Sequence, residues 1–543
     1  MGAYPSADHD SLVPMLTLPH RPTRILAASV LAIAIAGLIA AILWAILAAA
    51  GDTPGQSRID IAHLLRMTSI QAGLTTVLSL IIGIALAWAL NRLRFAGRSL
   101  VVGLFAAAIV TPGMVVAFGL LSIWGRNGWV NQVSQSLFGV TIESPAYGLS
   151  GILLAHIILD ASFAARILLA RFDAVPTSRL KVGQSLGLSA WQRFAIIDWP
   201  ALRGSLPGLA SVIFLLAFTS FPIVLMLGGG PANQTLEVAI YSAVRLDFDL
   251  NGAVLLALTQ IGVCAVVILA ASAFSPVPTA LGASRPPLWR DGGLAQGLQW
   301  LVLGLGVLGF TLPLLSVLAD GFSGMARVMA QPAFWQATVT SLVIGAASAL
   351  LALLLALMLA LGRAAVGNGV LRTVLGAPAF AYLAVPAVVL SLGFFLLVRS
   401  FGLQHSTMAP MVVVSANSLL ALPFAMATLA PPLEAVMRTR GKLIRSLGIS
   451  GWRQFLRVEY PLIGRDIGLM LALGFCFSLG DLGVIALFGT QDFQTLPLMM
   501  YRALGAYRTN DAAAIAALLL IITILAFIFL PKLAERIAYA PRH

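Results

Sequence analysis

Charged residues are scarce in this chain. They make up 10% of its 543 residues, against 59% for hydrophobic residues. Soluble globular domains contain roughly 25% charged residues, so this composition excludes a water-soluble protein and predicts an all-α protein that crosses a membrane many times. Acidic residues are the scarcer kind, with 20 Asp and Glu against 33 Lys and Arg, which leaves a formal net charge of +13.

Cysteine is almost absent. The two cysteines, Cys264 and Cys476, both lie in long apolar stretches. They provide no disulfide framework, and no spacing of potential ligands suits a metal site. We therefore expect both thiols to be buried as small apolar residues and the chain to bind no metal.

Nucleotide-binding and hydrolytic motifs are also missing. The chain has no Walker A loop, no HExxH and no GxSxG. The glycine-rich run at residues 228–231, GGGP, has no lysine or helix start to hold a phosphate, so we interpret it as a turn. These absences predict that the chain is not an enzyme and binds no cofactor of its own. Any ATP-driven function then needs ATP hydrolysed by a separate subunit.

What the chain does have is twelve apolar stretches, each long enough to cross the hydrocarbon core as a helix of about 20 residues. The first is too long for the apolar core of a signal peptide, so we interpret it as an uncleaved membrane anchor. The predicted spans are residues 25–50, 68–90, 99–123, 149–170, 205–227, 252–274, 297–319, 335–361, 373–398, 409–430, 467–488 and 512–531.

The basic residues indicate which way the spans run. If the N-terminus is cytoplasmic and the spans alternate, most of the 33 Lys and Arg fall on the cytoplasmic side, as the positive-inside rule requires. The net charge therefore reports topology and not a nucleic-acid partner. Two sets of six spans in the same orientation predict a parallel repeat with both termini in the cytoplasm. The predicted parts are a tail at 1–24, a first repeat at 25–274, a linker at 275–296, a second repeat at 297–531 and a tail at 532–543.

A polar segment occurs twice, at a constant offset of 261 residues. Polar loop 1, residues 179–200, reads RLKVGQSLGLSAWQRFAIIDWP, and polar loop 2, residues 440–461, reads RGKLIRSLGISGWRQFLRVEYP. Two such loops in an apolar protein suggest two equivalent docking points for a soluble partner, whereas a single copy is also typical of an amphipathic helix on the lipid surface. The identical pairs are Arg179/Arg440, Lys181/Lys442, Ser185/Ser446, Leu186/Leu447, Gly187/Gly448, Ser189/Ser450, Trp191/Trp452, Phe194/Phe455 and Pro200/Pro461.

Each polar loop is predicted to form a helix, a glycine turn and a second helix. Gly187 and Gly448 are expected to end the first helix, because glycine readily takes the left-handed conformation of a helix C-terminus. Ser189 is expected to cap the second helix in a capping box with Gln192, and Ser450 to cap it alone. The Trp and Phe of each loop are three residues apart and share a helix face, and the final proline is expected to stop the segment.

The duplication continues on the opposite side of the membrane. Connecting segment 1, residues 227–250, follows the fifth span, and connecting segment 2, residues 488–510, follows the eleventh. Their charges differ, which fits an asymmetric partner, although ordinary interfacial helices with solvated charges are the alternative. The matched residues are Thr235/Thr495, Leu236/Leu496 and Tyr241/Tyr501, and the charged ones include Glu237, Asp247 and Asp249 against Asp492, Arg502 and Arg508.

Two carboxylates lie inside predicted spans, Asp160 in the fourth and Asp481 in the eleventh. An ionisable residue within a span costs roughly 2.5–3.5 kcal/mol on insertion scales and usually faces a cavity or a partner. The alternative is a hydrogen bond between helices. Asp481 lies in SLGDLG, where small neighbours permit either close packing or a gap, and the repeat has copied neither acid.

The polar loops resemble the EAA loop of binding-protein-dependent ABC importer permeases of the type I architecture. The family pattern contains a glycine and ends in a run from an aliphatic residue to a proline. Gly187 and residues 197–200 match it in polar loop 1, and Gly448 and residues 458–461 match it in polar loop 2. Lys181 and Lys442 stand where the family has an acidic residue. The resemblance implies a type I permease fold that docks on an ATPase dimer. The residues it assigns to ATPase coupling are Lys181, Gly187, Trp191, Phe194, Pro200, Lys442, Gly448, Trp452, Phe455 and Pro461.

Residues 220–250 and 475–513 are similar to the fused permeases of bacterial thiamine and thiamine pyrophosphate importers. The resemblance implies a permease of the bacterial inner membrane that takes thiamine or its phosphates from a periplasmic binding protein, driven by a cytoplasmic ATPase. Thiamine carries a permanent positive charge, so we expect Asp481, and less strongly Asp160, to line its path. The residues expected to dock the binding protein are Glu237, Tyr241, Asp249, Tyr501 and Arg508.

Two other functions remain open. A ferric-iron ABC permease would share the fused twelve-span chain but is expected to deviate from SLGDLG and the segment after it. An ion-coupled secondary transporter would suit twelve spans in two parallel halves with intramembrane acids, but it leaves the duplicated polar loops unexplained. Transport that survives ATP depletion and collapses with the proton gradient would favour the second of these.

Overall fold

The computed structural model describes residues 22–51, 59–272, 287, 289–367, 369–403 and 405–539, and every regular element in these ranges is helical. This confirms the predicted all-α class. Residues 1–21 of the predicted N-terminal tail, residues 275–286 and 288 of the predicted linker, and residues 540–543 of the C-terminal tail lie outside the described residues.

The first repeat consists of long spans and short connecting helices. They are α1 (Pro22–Gly51), α2 (Ile61–Arg92), α3 (Arg98–Ala107), α4 (Gly113–Trp124), α5 (Trp129–Phe138), α6 (Gly148–Asp173), α7 (Thr177–Ser185), α8 (Ala190–Arg193), α9 (Trp199–Arg203), α10 (Leu206–Phe218), α11 (Pro222–Leu227), α12 (Leu236–Arg245) and α13 (Leu250–Ser272), with a π-helical turn at Phe194–Asp198 and a 3-10 turn at Pro231–Asn233.

The second repeat follows the same order with fewer short helices. They are α14 (Gly293–Met329), α15 (Pro332–Ala365), α16 (Val370–Ala381), α17 (Ala387–Ser400), α18 (His405–Ser446), α19 (Gly451–Gln454), α20 (Tyr460–Leu479), α21 (Gly483–Phe488), α22 (Leu496–Gly505) and α23 (Thr509–Tyr539), with a 3-10 turn at Tyr382–Ala384 and a π-helical turn at Phe455–Glu459.

The number of membrane spans agrees with a polytopic protein. Among the described residues, nine helical stretches are long and apolar enough to cross a membrane, and two bent helix pairs raise the number to eleven. The predicted span at 99–123 consists of two shorter helices, α3 and α4. They correspond in the repeat to α16 and α17, one of the two bent pairs, with a bend of 100°.

Four predicted spans are broken, and the breaks occur at matching places in the two repeats. The break between α3 and α4 ends at Pro112, and that between α16 and α17 ends at Pro386. The other two matching breaks lie between α10 and α11, before Pro222, and between α20 and α21, at Gly480. A proline cannot donate to the preceding turn, which explains three of these breaks. Broken helices expose backbone groups where a path for a polar substrate can form.

A matched hydrogen bond confirms the duplication in three dimensions. In the first repeat the hydroxyl of Thr68 accepts from the backbone N–H of Leu236 (3.0 Å). In the second repeat the hydroxyl of Ser341 accepts from the backbone N–H of Leu496 (2.7 Å). Each bond ties the second span of a repeat to the first residue of its connecting-segment helix, so both segments are held to their spans in the same way.

The first helix of each repeat packs against the opposite repeat. Helix α1 contacts α15, α16 and α17, while α14 contacts α2, α4 and α6 as well as α23 of its own repeat. We call α1 and α14 the crossover helices. Because each crossover helix packs against the other repeat, apolar contacts join the two repeats.

Glycine allows this close packing at equivalent positions. A Cβ built on Gly119 of α4 would lie 2.3 Å from the backbone oxygen of Pro313 in α14. A Cβ built on Gly393 of α17 would lie 2.3 Å from a side-chain carbon of Ile42 in α1. Real Cβ atoms do not approach so closely, so these positions require glycine.

We expect Gly119→Ala and Gly393→Ala each to destabilise the protein by about 1–3 kcal/mol, because the added methyl forces a crossover helix away from its partner. The measurement is the melting temperature in detergent. Gly304→Ala is the matched control, since it lies inside α14 with no neighbour near its added Cβ, and we expect it to be neutral or stabilising. A melting temperature unchanged by both buried substitutions would contradict the crossover packing.

The two repeats approach their polar loops differently. Helix α6 ends at Asp173 and a separate helix, α7, begins after Pro176, whereas α18 continues unbroken to Ser446. Pro176 has Met437 as its counterpart in the second repeat, so the cause of the break is missing there. The short, separate first helix that the sequence predicted for polar loop 2 is therefore wrong.

Candidate functional site

The glycine turns of the polar loops form as predicted. Gly187 and Gly448 have φ values of +63° and +62°, the left-handed conformation that follows a helix. Ser189 and Gln192 form the complete capping box. The predicted Ser450 cap is wrong, because that side chain accepts no capping hydrogen bond.

The prolines at the ends of the loops start helices and do not stop them. Each lies in the first turn of the following helix, Pro200 in α9 and Pro461 in α20, directly after a π-helical turn. A proline is tolerated there because its missing N–H would have no partner in the first turn. The predicted stop at each proline is therefore wrong, and the second half of polar loop 2 runs directly into a span.

The two polar loops present matching apolar side chains. Trp191 is 75% exposed and Trp452 is 70% exposed. Scattered exposed apolar residues are common, whereas this set recurs at the same positions in both loops. The exposed pairs at an offset of 261 residues are Val182/Leu443, Leu186/Leu447 and Trp191/Trp452.

The aromatic pair of each loop is stacked. Trp191 stacks on Phe194 with ring centroids 5.9 Å apart, and Trp452 stacks on Phe455 at 5.3 Å. Phe455 is buried and Phe194 is half-buried, so each phenylalanine supports an exposed tryptophan from beneath. The predicted coupling residues Lys181 and Lys442 are exposed, Lys181 in the middle of α7 and Lys442 in the last turns of α18. The assignment of the ten residues to ATPase coupling stays a prediction.

The connecting segments meet at the centre of the molecule. The phenol groups of Tyr241 and Tyr501 lie within electrostatic range of each other. These residues are repeat equivalents, and two equivalent residues can lie close together only near the pseudo-twofold axis that relates the repeats. Burial raises the pKa of Tyr501 to about 12, so its phenol is neutral.

Glu237 lies one turn before Tyr241 on α12 and is fully buried. Its carboxyl group accepts a hydrogen bond from the side chain of Gln260 (3.1 Å) and lies within electrostatic range of Asp481 in the other repeat. In this conformation Glu237 is therefore not accessible to a docking partner, contrary to the sequence-based expectation. It belongs to the interface between the repeats.

The two intramembrane acids have different surroundings. The carboxylate of Asp481 accepts from the backbone N–H of Gly483 (3.1 Å) and of Val484 (3.2 Å), and so caps α21 at the break in its span. Asp160 is buried in α6 beside His156, with Nδ1 and Oδ2 3.4 Å apart. Asp481 thus lies at the interface of the repeats near Glu237, whereas Asp160 is paired within its own helix.

Two exposed aromatic residues, which the sequence reasoning missed, lie at the ends of the connecting segments. Phe248 and Tyr507 are 81% and 92% exposed, and both have positive φ, +54° and +59°. Each stands two residues before the next long helix. Of the predicted docking residues beside them, Asp249 is half-buried and Arg508 is exposed. The missed signal was an aromatic residue at the same distance from the next span in both repeats.

Two parallel repeats, a broken-helix centre and a pair of exposed loops define a duplicated membrane permease. A thiamine transport system permease protein ThiP from Brucella melitensis is 37% identical over 460 residues, 84% of each chain. The protein of that name from Escherichia coli is 38% identical over 482 residues, 87% of this chain and 89% of the relative. No protein-family model matches the chain.

This similarity extends over most of both proteins, so the chain belongs to the family of thiamine transport system permeases. It is a multi-pass membrane permease with the type I ABC importer fold and not an enzyme. A molybdenum transport system permease protein ModB from Azotobacter vinelandii is 30% identical over 184 residues, which are 80% of that protein and 34% of this chain. A relative of that length corresponds to one repeat.

Proposed function

We propose that the chain moves thiamine or its phosphates from a periplasmic binding protein across the bacterial inner membrane into the cytoplasm. ATP hydrolysed by a separate ATPase dimer drives the transport. The observation that carries this proposal is the pair of matching, exposed Trp patches in a chain that has no nucleotide-binding motif. The family to which the chain belongs supports thiamine as the substrate class.

The proposed topology puts both termini and both polar loops in the cytoplasm. The excess of basic residues in the polar loops and near the termini supports this orientation. Each polar loop then contacts one ATPase subunit, with its tryptophan inserted into a cleft. Lys181 and Lys442 replace the acidic residue that related loops carry, so an acidic group on the ATPase is the complementary partner.

On the periplasmic side, the connecting segments receive the two lobes of the binding protein. Phe248 and Tyr507 are exposed aromatic anchors of the kind that contribute strongly to protein interfaces. Next to them Asp249 and Arg508 occupy matching positions with opposite charges, which suits a partner with two different lobes. Tyr241 and Tyr501 lie beneath, at the axis, where they form an outer gate.

Cysteine crosslinking tests this docking. In a background with Cys264 and Cys476 replaced, Phe248→Cys and Tyr507→Cys are each tested in turn against cysteines on each lobe of the binding protein. We expect each position to crosslink to a different lobe, because the asymmetric charges orient the partner. Leu137→Cys, on the exposed α5, is the control. Absence of crosslinks at both aromatic positions, with transport intact, would contradict the docking surface.

The substrate path runs between the repeats, past the broken helices. Asp481 and Glu237 lie within electrostatic range of each other there. Asp481 accepts backbone N–H groups at the N-terminus of α21, where the helix dipole stabilises a negative charge. Two carboxylates at the axis attract a cation such as thiamine as the repeats separate. Asp160 is the weaker candidate, because His156 partners it.

Reconstitution tests the function as a whole. The permease, the ATPase and the binding protein are placed in proteoliposomes, and uptake of labelled thiamine is measured with ATP inside. We expect uptake that requires ATP and the binding protein. Uptake of ferric iron in place of thiamine would support an iron permease, and thiamine uptake driven by a proton gradient without ATP would support a secondary transporter.

A further inference from the structure

Polar loop 1 is fastened at its base by a buried cluster of four charges. Asp198 forms an ion pair with Arg92 at the end of α2. Arg193 donates to Asp291 (2.6 Å), and Arg92 also lies near Asp291 (3.7 Å). Arg193 further packs over the ring of Trp289, 4.2 Å from its centroid. The cluster has two positive and two negative side chains, which balance.

This cluster reaches the opposite repeat. Asp291 and Trp289 immediately precede α14, the crossover helix of the second repeat. Gln299, inside α14, donates to Asp291 (2.7 Å) and holds that carboxylate to the helix. Polar loop 1 of the first repeat is therefore tied to the first helix of the second repeat.

Polar loop 2 is fastened in the same manner by different residues. Glu459, the repeat equivalent of Asp198, is buried. Its carboxylate accepts hydrogen bonds from both terminal nitrogens of Arg24, at 2.8 and 3.1 Å. Gln454, the equivalent of Arg193, donates to Glu459. Arg24 lies in the first turn of α1, the crossover helix of the first repeat, and also donates to the backbone oxygen of Gly451 (3.3 Å).

The duplication copied the acid but not its partner. At the offset that relates Thr68 to Ser341, the counterpart of Arg92 is Ala365, so the second repeat has no arginine at that place. Arg24 supplies a guanidinium from the crossover helix instead. Both loops thus have a buried acid linked to the crossover helix of the opposite repeat, through two unrelated sets of side chains.

We propose that Arg24–Glu459 and the cluster around Asp198 and Asp291 are tethers that pass the movement of each polar loop to the opposite repeat. Arg24, Asp198, Asp291 and Glu459 are positioning residues. When an ATPase subunit moves polar loop 2, the ion pair of Glu459 with Arg24 moves α1 as well. Helix α1 packs against the second repeat but is joined in sequence to the first repeat, so the movement reaches the first repeat. The inference rests on the proposed ATP-driven function.

The Arg24–Glu459 tether provides the test, because Arg24 lies outside the proposed ATPase-binding patch. The variants are Arg24→Met, Glu459→Gln and the two together, and Arg536→Gln is the control, because Arg536 is an exposed arginine near the end of α23. Arg24→Met leaves a buried carboxylate unpaired and lowers thermal stability, whereas the double variant removes both charges and restores stability. The complex of permease, ATPase and binding protein is reconstituted, and thiamine uptake is measured beside ATP hydrolysis.

We expect the double variant to have the melting temperature of the wild type and to bind the ATPase as the wild type does. It should nevertheless transport about five- to tenfold less thiamine per ATP hydrolysed. Arg24→Met should show the same loss of coupling, so that the two substitutions are not additive. A double variant with wild-type stability and wild-type coupling would overturn the tether. A wild-type complex that hydrolyses ATP without thiamine uptake would instead refute the proposed function, so the two failures are distinguishable.

Discussion

The double substitution Trp191→Ala with Trp452→Ala is expected to abolish ATP-driven thiamine uptake and to release the ATPase from the purified permease. Each tryptophan is exposed, stacked on a phenylalanine and duplicated at the same position of its loop. A tryptophan anchor at an interface contributes about 2 kcal/mol or more, so the loss of both reduces the affinity at least several-hundredfold. Either single substitution should weaken the complex without dissociating it.

The measurement is co-purification of the ATPase, followed by uptake in proteoliposomes. Trp44→Ala is a matched control, because Trp44 is 61% exposed but lies on the apolar surface of α1, away from both polar loops. We expect the control to assemble and transport normally. A double variant that still co-purifies with stoichiometric ATPase would exclude the polar loops as the docking surface.

Asp481→Asn is expected to slow thiamine uptake by roughly tenfold or more, with assembly and basal ATP hydrolysis near normal. The amide oxygen of asparagine can still accept from Gly483 and Val484, so the cap of α21 persists while the charge is lost. A carboxylate about 4 Å from a cation is worth roughly 4 kcal/mol at an effective dielectric constant of 20, and losing even a third of that gives the expected change.

Asp60→Asn is the control for capping. Asp60 likewise accepts a backbone N–H in the first turn of a helix, that of His63 (3.0 Å), but it is exposed at the start of α2. We expect this variant to transport normally. Wild-type uptake by Asp481→Asn would show that the aspartate only caps a helix, and Glu237→Gln would then be the remaining test of a charged path.

The broken spans could not be anticipated from hydropathy. Prolines 112, 222 and 386 were visible in the sequence, but a proline inside an apolar stretch is compatible with a kinked helix as well as with two separate helices. The bend of 100° before Pro386 depends on how α16 and α17 pack against their neighbours. Local rules also failed at polar loop 2, where α18 simply continues because Met437 stands in place of a proline.

The site was predictable wherever the repeat supplied two copies for comparison. The glycine turns, the capping box at Ser189 and the stacked aromatic pairs all follow from local spacing. Glu237 was different, because the sequence shows only a charge in a connecting segment. Its burial near Asp481 arises from the contact between repeats, which no local pattern reports.

The sequence by itself determined the membrane-spanning class, the twofold internal repeat, the absence of an ATPase and the positions of the two polar loops. These properties follow from composition and from the spacing of residues within short segments, and neither depends on how the helices pack together. Only the tertiary structure decided that α1 and α14 exchange between repeats, that Tyr241 lies near Tyr501 at the axis, and that Glu459 pairs with Arg24 across 435 positions of sequence. Such pairings depend on which surfaces the folded helices bring together, and two repeats with similar local sequences can reach them with different residues.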